Sequence, residues 1–173
     1  MIRKIISSTN PIIRQKAKPI KVFDRKIKAL GRDLIDTLAV QEDPEGVGLA
    51  ACQIAKPVAL FAFVDKDKKI RLIANPKIIE IKKGRQSKKE KSILEGCLSI
   101  PDLYGELERA QSVTIKYQNL EGKEKKETFK GFEARIIQHE IDHLNGILFT
   151  DRLLKEKKPL YQLEGEKLEE VRL

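Results

Sequence analysis

A chain of 173 residues suits one domain that buries most of its unfolded surface without a disulfide staple. Its two cysteines, Cys52 and Cys97, and the lack of a secretory signal fit a reducing, cytoplasmic setting, and no run of about 20 apolar residues offers a membrane span. The net charge of +9 gathers in runs such as KKGRQSKKEK (82 to 91) and KEKK (123 to 126), which read as solvated loops; no aromatic signature accompanies them, so sequence-specific nucleic-acid binding is not expected.

Residues 1 to 22 read as irregular, punctuated by Asn10-Pro11 and Lys18-Pro19. Asp24 is a plausible N-cap for a helix carrying Ile27, Leu30, Leu34, Ile35 and Leu38 at helical spacing. The small residues of GVGLAACQ (46 to 53) let backbone approach another group closely, either as a turn into a strand or as a ligand loop, and Gln53 can aim an amide into whatever that backbone faces. VALFAFV (58 to 64) predicts a buried strand, Asp65 to Lys68 a turn, and RLIANPKIIEIK a second strand bent at Asn75-Pro76. SILEGCLSIP (92 to 101) places Cys97 between Gly96 and Leu98. Val113, Ile115 and Tyr117 then alternate through one arm of a hairpin that turns near Asn119 to Gly122.

That hairpin leads into FEARIIQHEIDHLNGIL (132 to 148), which holds both histidines of the chain. At helical spacing Phe132, Ile136, His139, Glu140 and His143 share one face; Ile137, Ile141, Leu144 and Leu148 form a core stripe; Arg135, Gln138, Asp142 and Asn145 fill a polar sector. Two imidazoles one turn apart can reach one metal ion, and a carboxylate beside the first can take a proton from water bound there, which is the logic of HExxH.

A catalytic ion of this kind wants a third protein ligand. Position 149 is Phe, which removes the three-histidine pattern of metzincins. Glu164 or Glu166 would suit a zinc endopeptidase but sit in a charged tail, whereas Cys97 lies in an apolar segment able to enter the core. A structural metal module or a basic RNA-associated protein is the non-enzymatic alternative.

GVGLAACQ (46 to 53), EGCLS (95 to 99) and QHEIDH (138 to 143) together resemble, in order and approximate spacing, the three motifs of the peptide deformylase family. Cys52 and Tyr104 depart from the family's usual pattern; Tyr104 stands where an arginine often lies near the bound peptide. The resemblance implies removal of the formyl group from formyl-methionyl nascent polypeptides, with release of formate. It implies Cys97, His139 and His143 as ligands of Fe(II), for which Zn, Ni or Co can substitute. It also implies Glu140 as proton shuttle, with the Leu98 N–H and the Gln53 amide facing the oxyanion.

Phe132, Ile136, Ile93 and Leu98 are expected to wall the methionine pocket, and Val47-Gly48 with Glu95-Gly96 to hold the peptide backbone as an added strand. Arg109 and Asp142 are candidates for supporting the site. A transient ribosome contact is left open. The expected architecture is α+β: mixed and antiparallel sheets surround a central HExxH helix, with an N-terminal helix packed outside. Residues 1–153 would form the catalytic domain and 154–173 a tail with a short helix limited by Pro159 and Gly165.

Overall fold

The computed structural model describes residues 1–42, 44–84, 94–165 and 167–171. Among these residues it is an α+β fold of two antiparallel sheets and three α-helices. One sheet has five strands in the order β1-β2-β3-β6-β7: β1 (Gly48–Ala50), β2 (Leu60–Val64), β3 (Ile70–Lys82), β6 (Ser112–Gln118) and β7 (Glu124–Lys130). The other runs β4-β5-β8-β9: β4 (Glu95–Cys97), β5 (Ile100–Gly105), β8 (Leu160–Glu164) and β9 (Lys167–Val171). The helices are α1 (Arg25–Ala39), α2 (Gly131–Leu144) and α3 (Phe149–Glu156). Every strand pairing is antiparallel, so the mixed sheet expected from sequence is absent among the described residues; the isolated bridge Lys18–Val58 is parallel.

Alternation along β2 explains why its sequence is apolar throughout. Phe61 and Phe63 join the core cluster that holds Ile136 and Ile137 of α2, while Leu60 and Ala62 join the cluster that holds Leu34 and Leu38 of α1. The strand is buried on both faces and needs no polar side. Asp24 starts α1 by accepting the Ile27 N–H at 3.0 Å. Asn75-Pro76 does not end β3. Asn75 takes a φ of 49° where the register against β6 slips, and its side chain closes two 2.8 Å hydrogen bonds on the backbone of Ile20.

Two expectations fail at the C-terminal end. The helix read over 132–148 is shorter: α2 stops at Leu144, residues 145–147 turn, and Leu148 caps α3. The tail is not helical beyond α3. Between Pro159 and Gly165 only five residues remain, and they pair as β8 with the open edge of β5, then turn at Gly165 (φ 63°) into β9.

The N-terminal segment, irregular apart from a 3-10 turn at Pro11–Arg14, straps two of the motifs to the end of α2. Ile6 donates its N–H to the Gln53 carbonyl at 2.8 Å, Ser8 to Ser99 at 2.9 Å, and Ala17 to Leu144 at 2.8 Å. Gly146 completes the strap: its φ is 73°, and a Cβ there would press into the Arg14 backbone, 2.8 Å from the carbonyl carbon. Gly146→Ala combines a left-handed backbone with a backbone clash, and should cost about 3 kcal/mol, or roughly 10 °C of melting temperature. Gly165→Ala is the control, because nothing lies within 4 Å of its Cβ. Equal melting losses for the two variants would contradict the strap.

Candidate metal centre

The site is assembled from one helix, one sheet edge and one tight turn. α2 presents His139, Glu140 and His143 on a single face, with the imidazole centroids 4.8 Å apart and the rings near perpendicular. β4 carries Cys97 in from the other sheet. One ligand-type atom from each of Cys97, His139 and His143 lies within 4.8 Å of the others, and Cys97 Sγ is 3.2 Å from His143 Nε2. Among the described residues no other group of His, Cys, Asp and Glu converges in this way. Glu164 is exposed on β8, and Glu166 lies outside the described residues. One thiol and two imidazoles suit a borderline divalent cation, so the donor set fits the expected metal.

Glu140 is 2% exposed, and its Oε2 has no hydrogen-bond partner among the described residues. Burial pushes its carboxyl up to about 7, opposed by the charge of His139 and aided by that of Glu95. It packs against Gly48, where a Cβ would come within 2.9 Å of the carboxyl carbon and 3.0 Å of Ile136 Cγ2. Gly48 is therefore small for the sake of Glu140 as well as for any ligand running past it.

Behind the imidazoles lies a buried chain of alternating charge. His139 Nδ1 donates to Glu95 Oε1 at 2.7 Å, which turns its Nε2 away from the carboxylate. Arg109 forks onto the same carboxylate at 3.0 and 2.5 Å and reaches Asp142 at 2.5 Å; Arg152 of α3 forks onto Asp142 with two bonds of 2.5 Å. These carboxylates would be costly to bury alone, and the paired guanidiniums offset that cost. Burial opposes protonation of His139, but hydrogen bonds to Cys97 and Glu95 hold its pKa well above the usual imidazole value. Burial and the charge of His139 push His143 well below it.

Gln53, 1% exposed, accepts the Ala50 N–H at 2.8 Å through Oε1 and points its amide nitrogen at Ser99 Oγ (3.2 Å) and Cys97 Sγ (3.5 Å). A cleft of about 300 Å³ opens on this group. Val47, Gly48, Gln53, Glu95, Gly96, Cys97, Leu98, Phe132, Ile136, His139 and Glu140 all line it; of the sequence-derived candidates His143 lies behind it, and Ile93 falls outside the described residues. Phe132 is 48% exposed at the rim, whereas Ile136 is buried.

Glu95 carries a second role that the sequence reading missed: it borders the cleft, and its carboxylate is committed to His139 and Arg109. The signal was available, since Glu95 and Cys97 are two apart on a strand and so point to the same face. Arg135 and Asp142, in the polar sector of the helix, are buried, and Arg135 lies 3.9 Å from Glu95. Arg109 and Asp142 do support the site. Cys52 is buried, its thiol 3.5 Å from the His143 carbonyl oxygen and pushed up to about 12 by burial, so it stays protonated and inert.

Two sheet edges, one carboxylate and a sulfur-nitrogen-nitrogen donor set fit one class, the metal-dependent hydrolases. The polypeptide deformylase family model matches residues 2–159. The peptide deformylase of Dictyoglomus thermophilum is 40% identical over 156 residues, covering 90% of this chain and 95% of that one, and the Rhizobium meliloti enzyme is 38% identical over 164, covering 92% and 89%. The crystal structure of the Thermotoga maritima peptide deformylase superposes with a TM-score of 0.77 at 35% identity, over 87% of this chain and 97% of that one. The chain belongs to the polypeptide deformylase family. It is an enzyme that removes the formyl group from the N-terminal methionine of polypeptides.

Proposed function

We propose that α2 is the central catalytic helix and that Cys97, His139 and His143 hold one divalent cation, Fe(II) in the native enzyme with Zn, Ni or Co able to replace it. The convergence of their three ligand atoms within 4.8 Å carries this reading. Such an ion supplies Lewis acidity, acidifying water and polarising a carbonyl. Glu140 accepts the proton of the attacking water and delivers it to the departing amine; its unpartnered Oε2 and raised pKa suit a group that gains and loses a proton near neutrality. The Gln53 amide and the Leu98 N–H, in the turn after β4, donate to the oxyanion that forms at the formyl carbon.

β1 and β4 are the end strands of their sheets, and both border the cleft. A formyl-methionyl peptide fits between them as an added strand, along Val47-Gly48 on one side and Gly96 on the other, recognised through its backbone. The methionine side chain enters between Ile136, Leu98 and Phe132, with Ile93 assigned to the same wall from sequence. The substrates are nascent chains in the cytoplasm, and a transient ribosome contact fits the net charge of +9. Residues 1–153 carry the chemistry, and 154–173 join the same unit through the pairing of β8 with β5. No helix among the described residues is long and apolar enough to cross a membrane.

Formate release from a formyl-Met-Ala-Ser peptide, with parallel assays under nitrogen and in air, tests this reading. Release that decays in air supports deformylation with Fe(II). Cleavage of an internal peptide bond without formate would transfer the case to an endopeptidase.

A further inference from the structure

We propose that the C-terminal hairpin β8–β9 extends the substrate cleft and carries the part of the nascent polypeptide that follows its first few residues. The proposal rests on the peptide-binding reading above. The family match ends at residue 159, and the hairpin lies wholly beyond it, so its sequence is not accounted for by that match.

The register defines the surface. Gly96 of β4 pairs with Tyr104 of β5, Tyr104 with Tyr161 of β8, and Tyr161 with Glu170 of β9; directly opposed residues share a face. Tyr161 and Leu163 are two apart on β8, and Leu163 opposes Leu168, so both leucines lie on that face as well. The other face is occupied: Gly105 abuts Leu153 of α3, and Leu160 is buried in the core. Among the described residues the Tyr104 face has no such cover, with Tyr104, Tyr161 and Leu163 half-buried and Leu168 47% exposed.

This strip is continuous with the cleft. Glu95 and Cys97 point to the metal side of β4, but the cleft wraps the edge of the strand and is lined by Gly96, Pro101, Asp102 and Tyr104 on the other side. Gly96 makes the crossing, because its missing side chain leaves room for the Tyr104 ring, whose edge carbons sit 2.8 Å from the Cβ position. A chain turning over that edge meets Tyr104 about 5 Å and Tyr161 about 10 Å from Gly96, at the spacing of successive strands. Aromatic rings followed by leucines suit an extended polypeptide of varied sequence: they offer apolar area without choosing particular side chains. The occupant is therefore the substrate's own downstream segment.

The test compares kcat/KM for a formyl-Met tripeptide and a formyl-Met dodecapeptide, using the intact metal-loaded chain. Wild type should favour the long peptide. Tyr161→Ser and Leu168→Ser should each lower the long-to-short ratio by about fivefold, through KM, whereas Val22→Ser, 70% exposed elsewhere, should leave it unchanged. Should a variant lose folded protein, residues 4 to 12 of the long peptide, added to wild type as a separate competitor, give a second readout: the free segment should inhibit the long substrate more than the short one. An unchanged ratio in both hairpin variants overturns the proposal. A change of sedimentation from dimer to monomer without a change of ratio also overturns it, because the strip would then bind a second copy. Failure of wild type to deformylate even the tripeptide would instead overturn the catalytic reading.

Discussion

Replacing Glu140 with Ala or Gln should lower kcat about a thousandfold while the protein keeps its full complement of metal. The two readouts separate because Glu140 shares the helix face but is not one of the three converging ligand atoms. Its Oε2 is buried without a partner among the described residues, so the fold gains little from the carboxylate that the neutral amide would not supply. Metal analysis with formate-release kinetics checks the prediction. Turnover within tenfold of wild type would remove Glu140 as proton shuttle, and loss of metal would make it a ligand.

The same carboxyl sets a pH dependence in the metal-free protein. Burial raises its pKa from 4.5 to about 7, so over that window the native state binds more protons than the unfolded one. The stabilising contribution is complete below 4.5 and is lost as pH rises through about 7, at most about 3 kcal/mol across the window. Glu95 acts in the opposite sense. Despite its burial, Arg109 and His139 hold it well below the usual carboxylate value, and its contribution is lost as the solution is acidified below that value. Melting curves of chelator-treated wild type and Glu140→Gln should therefore coincide near pH 4.5 and separate towards neutrality, with the variant the more stable. Parallel curves across that range would contradict the buried, unpaired state of this group.

Local sequence pattern was enough for whatever depends on periodicity. β2, β3 and the β6–β7 hairpin follow from their apolar runs and turn residues, α1 from Asp24 and its spacing, and the shared face of His139, Glu140 and His143 from helical geometry. Pairing between distant segments was not legible. β8 and β9 are charged, with Pro159 before them and Gly165 between them, and their conformation is decided by the open edge of β5, which no local pattern announces. The buried ion pairs of Glu95, Arg135 and Asp142 were not legible for a related reason. A charged residue on a helix or strand reads as solvent-facing until its partners are known, and Arg109 and Arg152 approach from other elements. Cys97 was found by eliminating alternatives and by resemblance, since 41 residues separate it from His139.

Cys97→Ser should abolish metal retention and activity together. The hydroxyl of serine stays protonated at neutral pH, and its oxygen is a poor substitute for a thiolate toward a borderline cation, so affinity should fall by roughly a thousandfold or more. The fold should survive, because Cys97 is only half-buried at the end of β4 and Gln53 can donate to the new oxygen as it does to Ser99 Oγ. Chelator competition measures the affinity, circular dichroism the fold, and loading with Co(II) the ligand itself: wild type should show sulfur-to-cobalt charge-transfer absorption and the variant none. Cys97→Asp sharpens the test by restoring the negative charge with an oxygen donor, and should recover part of the metal binding without the sulfur band. An intact Co(II) spectrum in Cys97→Ser would detach the sulfur from the metal. The helix would then need a third ligand from elsewhere, and Glu164, exposed on β8, is held too loosely to be a good one.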